Sequence, residues 1–190
     1  MPADQCFMMR GGTRADRKVG RKMKIPSDLD ELTALFEKLG ARRPELWARS
    51  QLGEGINQLQ RFLFLRQAWS LILREDDTDW IQGEMARAQR RPDEPYAGVG
   101  HALRRCVEKG ASVQDLTDIV RGKQAELLHY FCYLLGDPSF TEKELSDLQW
   151  GLFEIDMDGN PIPPGINMLH ESVLSTDPTG REMRPRKETK

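Results

Sequence analysis

The longest regular pattern in the chain runs from residue 111 to residue 138, ASVQDLTDIVRGKQAELLHYFCYLLGDP. Ser112 and Asp115 have the spacing of a capping box, and Gly136 and Pro138 are typical of a helix end. Six apolar residues between them follow at steps of 3, 4, 7, 4 and 3: Val113, Leu116, Val120, Leu127, Phe131 and Leu134. This spacing predicts one helix of about six turns whose apolar stripe faces the core.

A second long stretch, residues 56–73, is apolar around most of a helical circumference. Its sequence is INQLQRFLFLRQAWSLIL, with apolar residues at Leu59, Phe62, Leu63, Phe64, Leu65, Trp69, Ile72 and Leu73. A helix with this distribution is buried on most sides. We therefore predict that the helices at 56–73 and 113–135 form the centre of the molecule.

Shorter helical patterns surround these two. Ser27 and Asp30 resemble a capping box, and Pro44 suits the first turn of a second helix. Asp77 or Thr78 can cap a helix near 79–90, and further helices are predicted near 99–109 and 141–149. The four tryptophans are interpreted as packing residues: Trp47, Trp69, Trp80 and Trp150.

The pattern changes to a period of two at residues 152–158, which predicts a strand, and Asp158-Gly159-Asn160 supplies a hairpin turn. Residues 167–174 fit either a strand or one helical turn, and residues 177–180, DPTG, predict a β-turn. The predicted fold is mainly α: a single-domain helical bundle of about six helices with a small C-terminal β-hairpin.

The start of this hairpin imitates a calcium loop, because Glu154, Asp156 and Asp158 alternate before a glycine. An EF-hand loop needs a bidentate Glu at its twelfth position, where this chain has Gly165. Prolines fill the second half of the stretch and prevent a following helix. The hairpin interpretation is therefore favoured over calcium binding.

Charge divides the chain into an acidic body and two basic ends. Of 28 basic and 30 acidic residues, residues 1–26 hold seven and two, and residues 181–190 hold five and two, which leaves 16 and 26 for the body. We predict a disordered basic tail at 1–26, one helical domain at 27–180 that includes the hairpin region 152–180, and a flexible basic tail at 181–190. Met23 directly precedes the first helical pattern, which raises the hypothesis that translation starts there.

An acidic body repels phosphate backbones, so nucleic-acid binding is expected only through residues 1–26. No secretory signal is visible, and the apolar runs FLFL and YFCYLL are too short to cross a bilayer. Three scattered cysteines are no disulfide framework, and they favour a reducing cytoplasm. They are Cys6, Cys106 and Cys132.

Catalytic and metal-binding patterns are weak. His129 and Cys132 share a helix face without a second ligand pair, and His170-Glu171-Ser172 would point to opposite faces of a strand. No metal or cofactor is predicted. An enzyme remains an alternative hypothesis, with a site built from dispersed side chains: His101, His129, His170, Glu154 and Glu171.

The functional prediction is a non-enzymatic cytosolic interaction module that neutralises or sequesters a basic protein partner, as immunity proteins do. Its predicted contact surface lies before the fourth helix and consists of Glu75, Asp76, Asp79 and Trp80, while Asp77 is reserved for capping. Four carboxylates in five residues are expected to be solvated there and to steer a basic partner.

Overall fold

The computed structural model describes residues 25–137, 142–145 and 147–186, and it confirms a mainly α fold with a small hairpin. Seven α-helices and two short strands occur in this part of the chain. The helices are α1 (Leu29–Lys38), α2 (Pro44–Glu54), α3 (Gln58–Trp69), α4 (Asp79–Arg90), α5 (Ala97–Glu108), α6 (Val113–Leu134) and α7 (Leu169–Ser172), and the strands are β1 (Glu154–Ile155) and β2 (Pro161–Ile162).

Helix α3 is central, as predicted, because it contributes to both apolar clusters of the core. Its N-terminal half packs against α1 and α2, where the rings of Phe36, Trp47 and Phe62 contact one another at centroid distances of 5.5–6.0 Å. Its C-terminal half supplies Leu65 and Trp69 to a second cluster. The apolar residues around this helix are therefore buried on two sides, one in each cluster.

The second cluster joins α3 to α6 and α7. Ala125 and Cys132 of α6 contribute to it, together with Leu169 and Val173 from the C-terminal region. The indole Nε1–H of Trp69 donates to the Val173 carbonyl oxygen at 2.9 Å. Residues 166–173 thus hold the two long helices together.

Helices α4 and α5 form a close antiparallel pair. A Cβ atom placed on Gly100 would lie 2.2 Å from the Glu84 carbonyl oxygen and 2.6 Å from the Ala88 Cβ. Only glycine allows this approach of the two backbones. The pair is fastened to α6 by a hydrogen bond of 2.9 Å from Trp80 Nε1 to Thr117 Oγ1.

The predicted start of α1 needs correction, and at α4 the structure selects one of the two predicted caps. Asp28, and not Ser27 with Asp30, caps α1 by accepting from the Asp30 and Glu31 N–H groups. Before α4, the Asp77 carboxylate accepts from Asp79 N–H, whereas Thr78 makes no side-chain cap. Short polar side chains near a helix start can each accept hydrogen bonds from its first N–H groups. The cap forms at the residue whose backbone geometry brings its side-chain oxygen to these groups. Ser112 caps α6 as predicted.

The helix predicted at 141–149 is wrong in the described part of that range, where a single 3₁₀ turn covers Lys143–Leu145. This turn has no buried residue. A short helix without a packed face gains too little to offset its nucleation cost. Residues 138–141 and 146 lie outside the described residues.

The hairpin is confirmed, although only Glu154–Ile155 and Pro161–Ile162 pair as strands instead of the predicted 152–158. Prolines and glycines on the returning segment limit the ladder. Within the ambiguous range 167–174, the chain is helical at α7. The β-turn at 177–180 is confirmed by a bond of 2.9 Å from Gly180 N–H to the Asp177 carbonyl oxygen.

The boundary predicted at residue 181 does not coincide with the last contact to the body. Arg181 bonds to Glu75, and Arg186 Nη2 lies 2.8 Å from Asp118 Oδ1. Opposite charges on the helical body therefore hold the chain at least to residue 186. The tail predicted at 1–26 lies outside the described residues apart from Ile25 and Pro26, as do residues 187–190.

No described helix combines the length and the apolar composition that a bilayer crossing requires.

Candidate interaction surface

The predicted acidic loop, Glu75–Asp79, connects α3 to α4, but Glu75 is not the solvated carboxylate that we expected. Its side chain is half-buried and bonds to Arg181. Its carbonyl oxygen accepts from Arg186 at 2.8 Å and from Gln114 at 3.2 Å. The chain's own arginines occupy this part of the loop, because the acidic body attracts its basic C-terminal end.

The other predicted contact residues divide into two groups. Asp76 and Asp79 are exposed, and Asp76 lies 3.3 Å from the exposed Arg74. Trp80 is half-buried, and its N–H is bonded to Thr117. Asp76 and Asp79 are therefore exposed to solvent, while Trp80 anchors α4 to α6.

The largest departure from the predicted packing is the apolar stripe of α6. The stripe consists of Val113, Leu116, Val120, Leu127, Phe131 and Leu134, and we call it the outer face of α6. It was expected to face the core, yet Val113, Leu116 and Val120 are only half-buried. Leu127, Phe131 and Leu134 keep 55%, 54% and 42% of their surface exposed.

A different side of α6 faces the core, and it includes two polar residues. Thr117, Arg121, Ala125 and Cys132 are all buried. Arg121 donates to the Leu73 carbonyl oxygen and to Asp177, and its guanidinium lies 5.2 Å from the Trp69 ring centroid. These bonds offset the cost of burying charge, so the polar side of the helix can turn inward.

Further apolar groups extend the outer face. Ile119 and Tyr130 are each 62% exposed on α6. Trp150, which the sequence predicts to be a packing residue, keeps 46% of its surface exposed, and its N–H donates to the Leu134 carbonyl oxygen at 2.6 Å. Exposed apolar side chains gathered on one surface are typical of binding sites.

Charge on this side of α6 is sparse and internally paired. The Lys123 ammonium bonds to Glu126 one turn later. The hydrogen bond and the charge of Glu126 raise the pKa of Lys123 above its usual value. Lys123 lies in the seven-residue step of the stripe between Val120 and Leu127, and it is exposed, so its ammonium can remain in water.

The residues of the enzyme hypothesis do not assemble into one site among the described residues. His129 and His170 approach edge to face at 5.8 Å between centroids, and Tyr133 lies 5.0 Å from His170. Glu171 instead lies 3.3 Å from Arg61. Glu154 accepts from Gln60 at 2.9 Å, and His101 Nε2 lies 3.3 Å from the Pro92 carbonyl oxygen.

Metal-binding groups are also separated. Within the part of the chain that the structure describes, no three His, Cys, Asp or Glu side chains lie close enough to share a metal ion. At the hairpin, Asp156 accepts from Asp158 N–H and from both N–H donors of Asn160 at 2.8–3.0 Å. The bonds from Asn160 lower the pKa of Asp156. Its carboxylate therefore shapes the turn of the hairpin.

Two clefts lie on the described surface. The larger cleft has a volume of about 240 Å³ and is lined by residues that include Arg42, Trp47, Gln58 and Ser172. A second cleft measures about 110 Å³. Both are smaller than the ~300 Å³ at which small-molecule pockets usually begin. The outer face of α6 is a more extensive candidate for binding than either cleft.

The chain matches no family model, no curated protein and no solved structure.

Proposed function

We propose that this chain is a non-enzymatic protein-interaction module that binds its partner through the outer face of α6. The observation that supports the proposal is the exposure of Leu127, Phe131 and Leu134 on one side of a long helix. Solvating such a stripe costs free energy that a partner surface would recover. An apolar stripe on a helix is suited to a second helix or to a groove.

The acidic loop has a secondary role in this proposal. Its exposed carboxylates, Asp76 and Asp79, would attract a partner with a basic rim and raise the association rate. The contact of Arg186 with Asp118 is an internal example of this charge complementarity. Cys106 and Cys132 are free thiols, which suits a reducing cytosol as the place of binding.

Site-specific photo-crosslinking in native cells tests the proposal. A benzophenone side chain is introduced at position 127, on the outer face, or at position 71 as the control. Leu71 is 82% exposed and lies outside α6, so it offers a similar side chain on another surface. We expect a discrete adduct at position 127 that is absent at position 71, with the attached protein identified by mass spectrometry. Equal labelling at the two positions, or none at position 127, would contradict the proposal.

A further inference from the structure

Residues 181–186, which we call the arm, lie against the acidic side of the molecule. Arg181 bonds to the Glu75 carboxylate. Arg186 Nη2 lies 2.8 Å from the Glu75 carbonyl oxygen and 2.8 Å from Asp118 Oδ1. One short segment thus places two guanidinium groups on the α3–α4 loop and on α6. A guanidinium suits this position because its several N–H donors can serve more than one oxygen at once.

The two oxygens that hold Arg186 are also held by the body of the protein. Gln114 Nε2 donates to both of them, at 3.2 Å to the Glu75 carbonyl oxygen and at 3.1 Å to Asp118 Oδ1. The Gln114 amide therefore links the loop to α6 without the arm. Acceptors that are fixed before binding lose little entropy when a guanidinium arrives. We call Glu75 and Asp118 the arginine site.

The arm occupies the arginine site at a local cost. Glu182 and Met183 have φ values of 54° and 58°, in the left-handed region that residues other than glycine rarely adopt. Arg181 Nε is buried without a hydrogen-bond partner among the described residues, so its lost hydration is not compensated. The side chains of Arg186 and Asp118 keep 38% and 42% of their surface exposed. An arginine that arrives from solvent without these costs can therefore compete with the arm.

The surrounding charge selects a basic ligand. The body at residues 27–180 carries 26 acidic and 16 basic residues. Asp76 and Asp79 are exposed on the loop, and Asp115 is exposed in the first turn of α6. The arm itself has three arginines and one glutamate. Another arginine-containing segment would meet the same favourable field, whereas phosphate backbones and acidic chains would be repelled.

We propose that the arginine site receives an arginine-containing segment of a partner protein, and that the arm is a built-in competitor that must leave before the partner binds. The docked arm closes the site to weakly basic chains, and a segment that supplies two well-placed arginines displaces it. The inference goes beyond the proposed function, because it concerns the acidic side of the molecule and not the outer face of α6.

Fluorescence anisotropy with a labelled peptide of residues 178–186 tests the competition. The peptide, PTGREMRPR, contains both arginines that the site holds. We expect weak binding to the wild type and at least ~10-fold tighter binding to a chain that ends at Gly180, because its site is vacant. Binding should weaken with added salt. A peptide with glutamine in place of Arg181 and Arg186 should not bind.

A second variant decides the test where circular dichroism shows that the shortened chain is unfolded. The full-length variant Arg181→Gln/Arg186→Gln retains Met183, which packs against the core, and should also bind the peptide more tightly than the wild type does. Arg184→Gln is the matched control. Its arginine belongs to the same arm but contacts Glu182 and not the arginine site, so peptide binding should equal that of the wild type.

Asp118→Asn locates the bound peptide. Introduced into a variant that binds the peptide, it removes the charge that Arg186 contacts and keeps an oxygen that can accept from Gln114. The affinity for the peptide should fall at least ~10-fold, because a charge-assisted hydrogen bond is lost.

Hydrogen exchange of the wild type shows whether the arm leaves. Met183 N–H donates to Asp177 Oδ2 at 3.1 Å, and Arg184 N–H donates to the Arg181 carbonyl oxygen at 3.0 Å. Both amides should exchange faster when the peptide is present at saturation, because the displaced arm loses these bonds.

Equal affinities of the wild type and the two variants with a vacated site overturn the proposal, and so does the absence of binding to all three. Tight binding that survives Asp118→Asn places the peptide elsewhere and also overturns it. Unchanged exchange in the arm of the saturated wild type refutes the competition. These results do not depend on the crosslink from position 127, so this inference and the proposed function can fail separately.

Discussion

Asp177 is the residue at which the C-terminal segment is fastened to α6. Its buried carboxylate lies 2.8 Å from Arg121 Nη2 and accepts from Thr179 N–H, Thr179 Oγ1–H and Met183 N–H at 2.8–3.1 Å. Burial by itself would raise the pKa of this carboxyl. The donors from Met183 and Thr179, with the charge of Arg121, outweigh burial and lower the pKa below its usual value.

A lowered folded-state pKa means that Asp177 stabilises the protein above the unfolded-state pKa of about 3.9, and that this contribution is lost as the pH falls further. Asp177→Asn should therefore lower the free energy of unfolding by about 3 kcal/mol at neutral pH, because Arg121 stays buried without its counter-charge. The difference in unfolding free energy between Asp177→Asn and the wild type should become smaller below pH 4. Urea unfolding at neutral and acidic pH measures both quantities, and a deficit independent of pH would contradict this role.

At the scale of elements, the α4–α5 pair depends on one glycine. Gly100→Ala forces a Cβ against the Glu84 carbonyl oxygen and the Ala88 side chain, so the helices must separate. We expect a loss of about 1–3 kcal/mol in unfolding free energy. Gly83→Ala is the matched control in the partner helix, because a Cβ there meets nothing within 4 Å.

The control should stabilise the protein by roughly 0.5–1 kcal/mol, since alanine is the better helix former. Chemical denaturation of both variants gives the comparison. If the two alanines had the same effect, the close approach of α4 and α5 would be refuted.

Helix positions could be predicted from the sequence because helical periodicity and terminal residues are local signals. The predicted α6 matches the observed Val113–Leu134, including its Ser112 cap. Its orientation could not be predicted in the same way. The buried side carries Thr117 and Arg121, whose partners Trp80, Asp177 and Trp69 come from distant parts of the sequence.

The acidic loop shows the same limitation. Its carboxylates were identified from their density in the sequence, and Asp76 and Asp79 are exposed as expected. The engagement of Glu75 by Arg181 spans 106 residues and leaves no local pattern. The charge distribution along the sequence predicts that the basic end pairs with the acidic body. Which residues form the pairs can be known only from the fold.

For the whole molecule, these contacts define two kinds of surface. The C-terminal arginines bind back onto the acidic side, whereas α6 exposes Leu127, Phe131 and Leu134 of its apolar stripe. The proposed binding function depends chiefly on which side of α6 faces outward. The helical periodicity alone predicts the opposite orientation, with the apolar stripe in the core. The effect of a charged substitution in the stripe on the free energy of unfolding distinguishes the two orientations of α6.

The unfolding free energy of Leu127→Glu, measured by chemical denaturation, tests this orientation most directly. Leu65→Ala is the buried reference and should cost about 2–5 kcal/mol. With Leu127 exposed on the outer face, Leu127→Glu should change the free energy of unfolding by less than ~0.5 kcal/mol. A loss of ~3 kcal/mol or more would place Leu127 in the core and contradict the account.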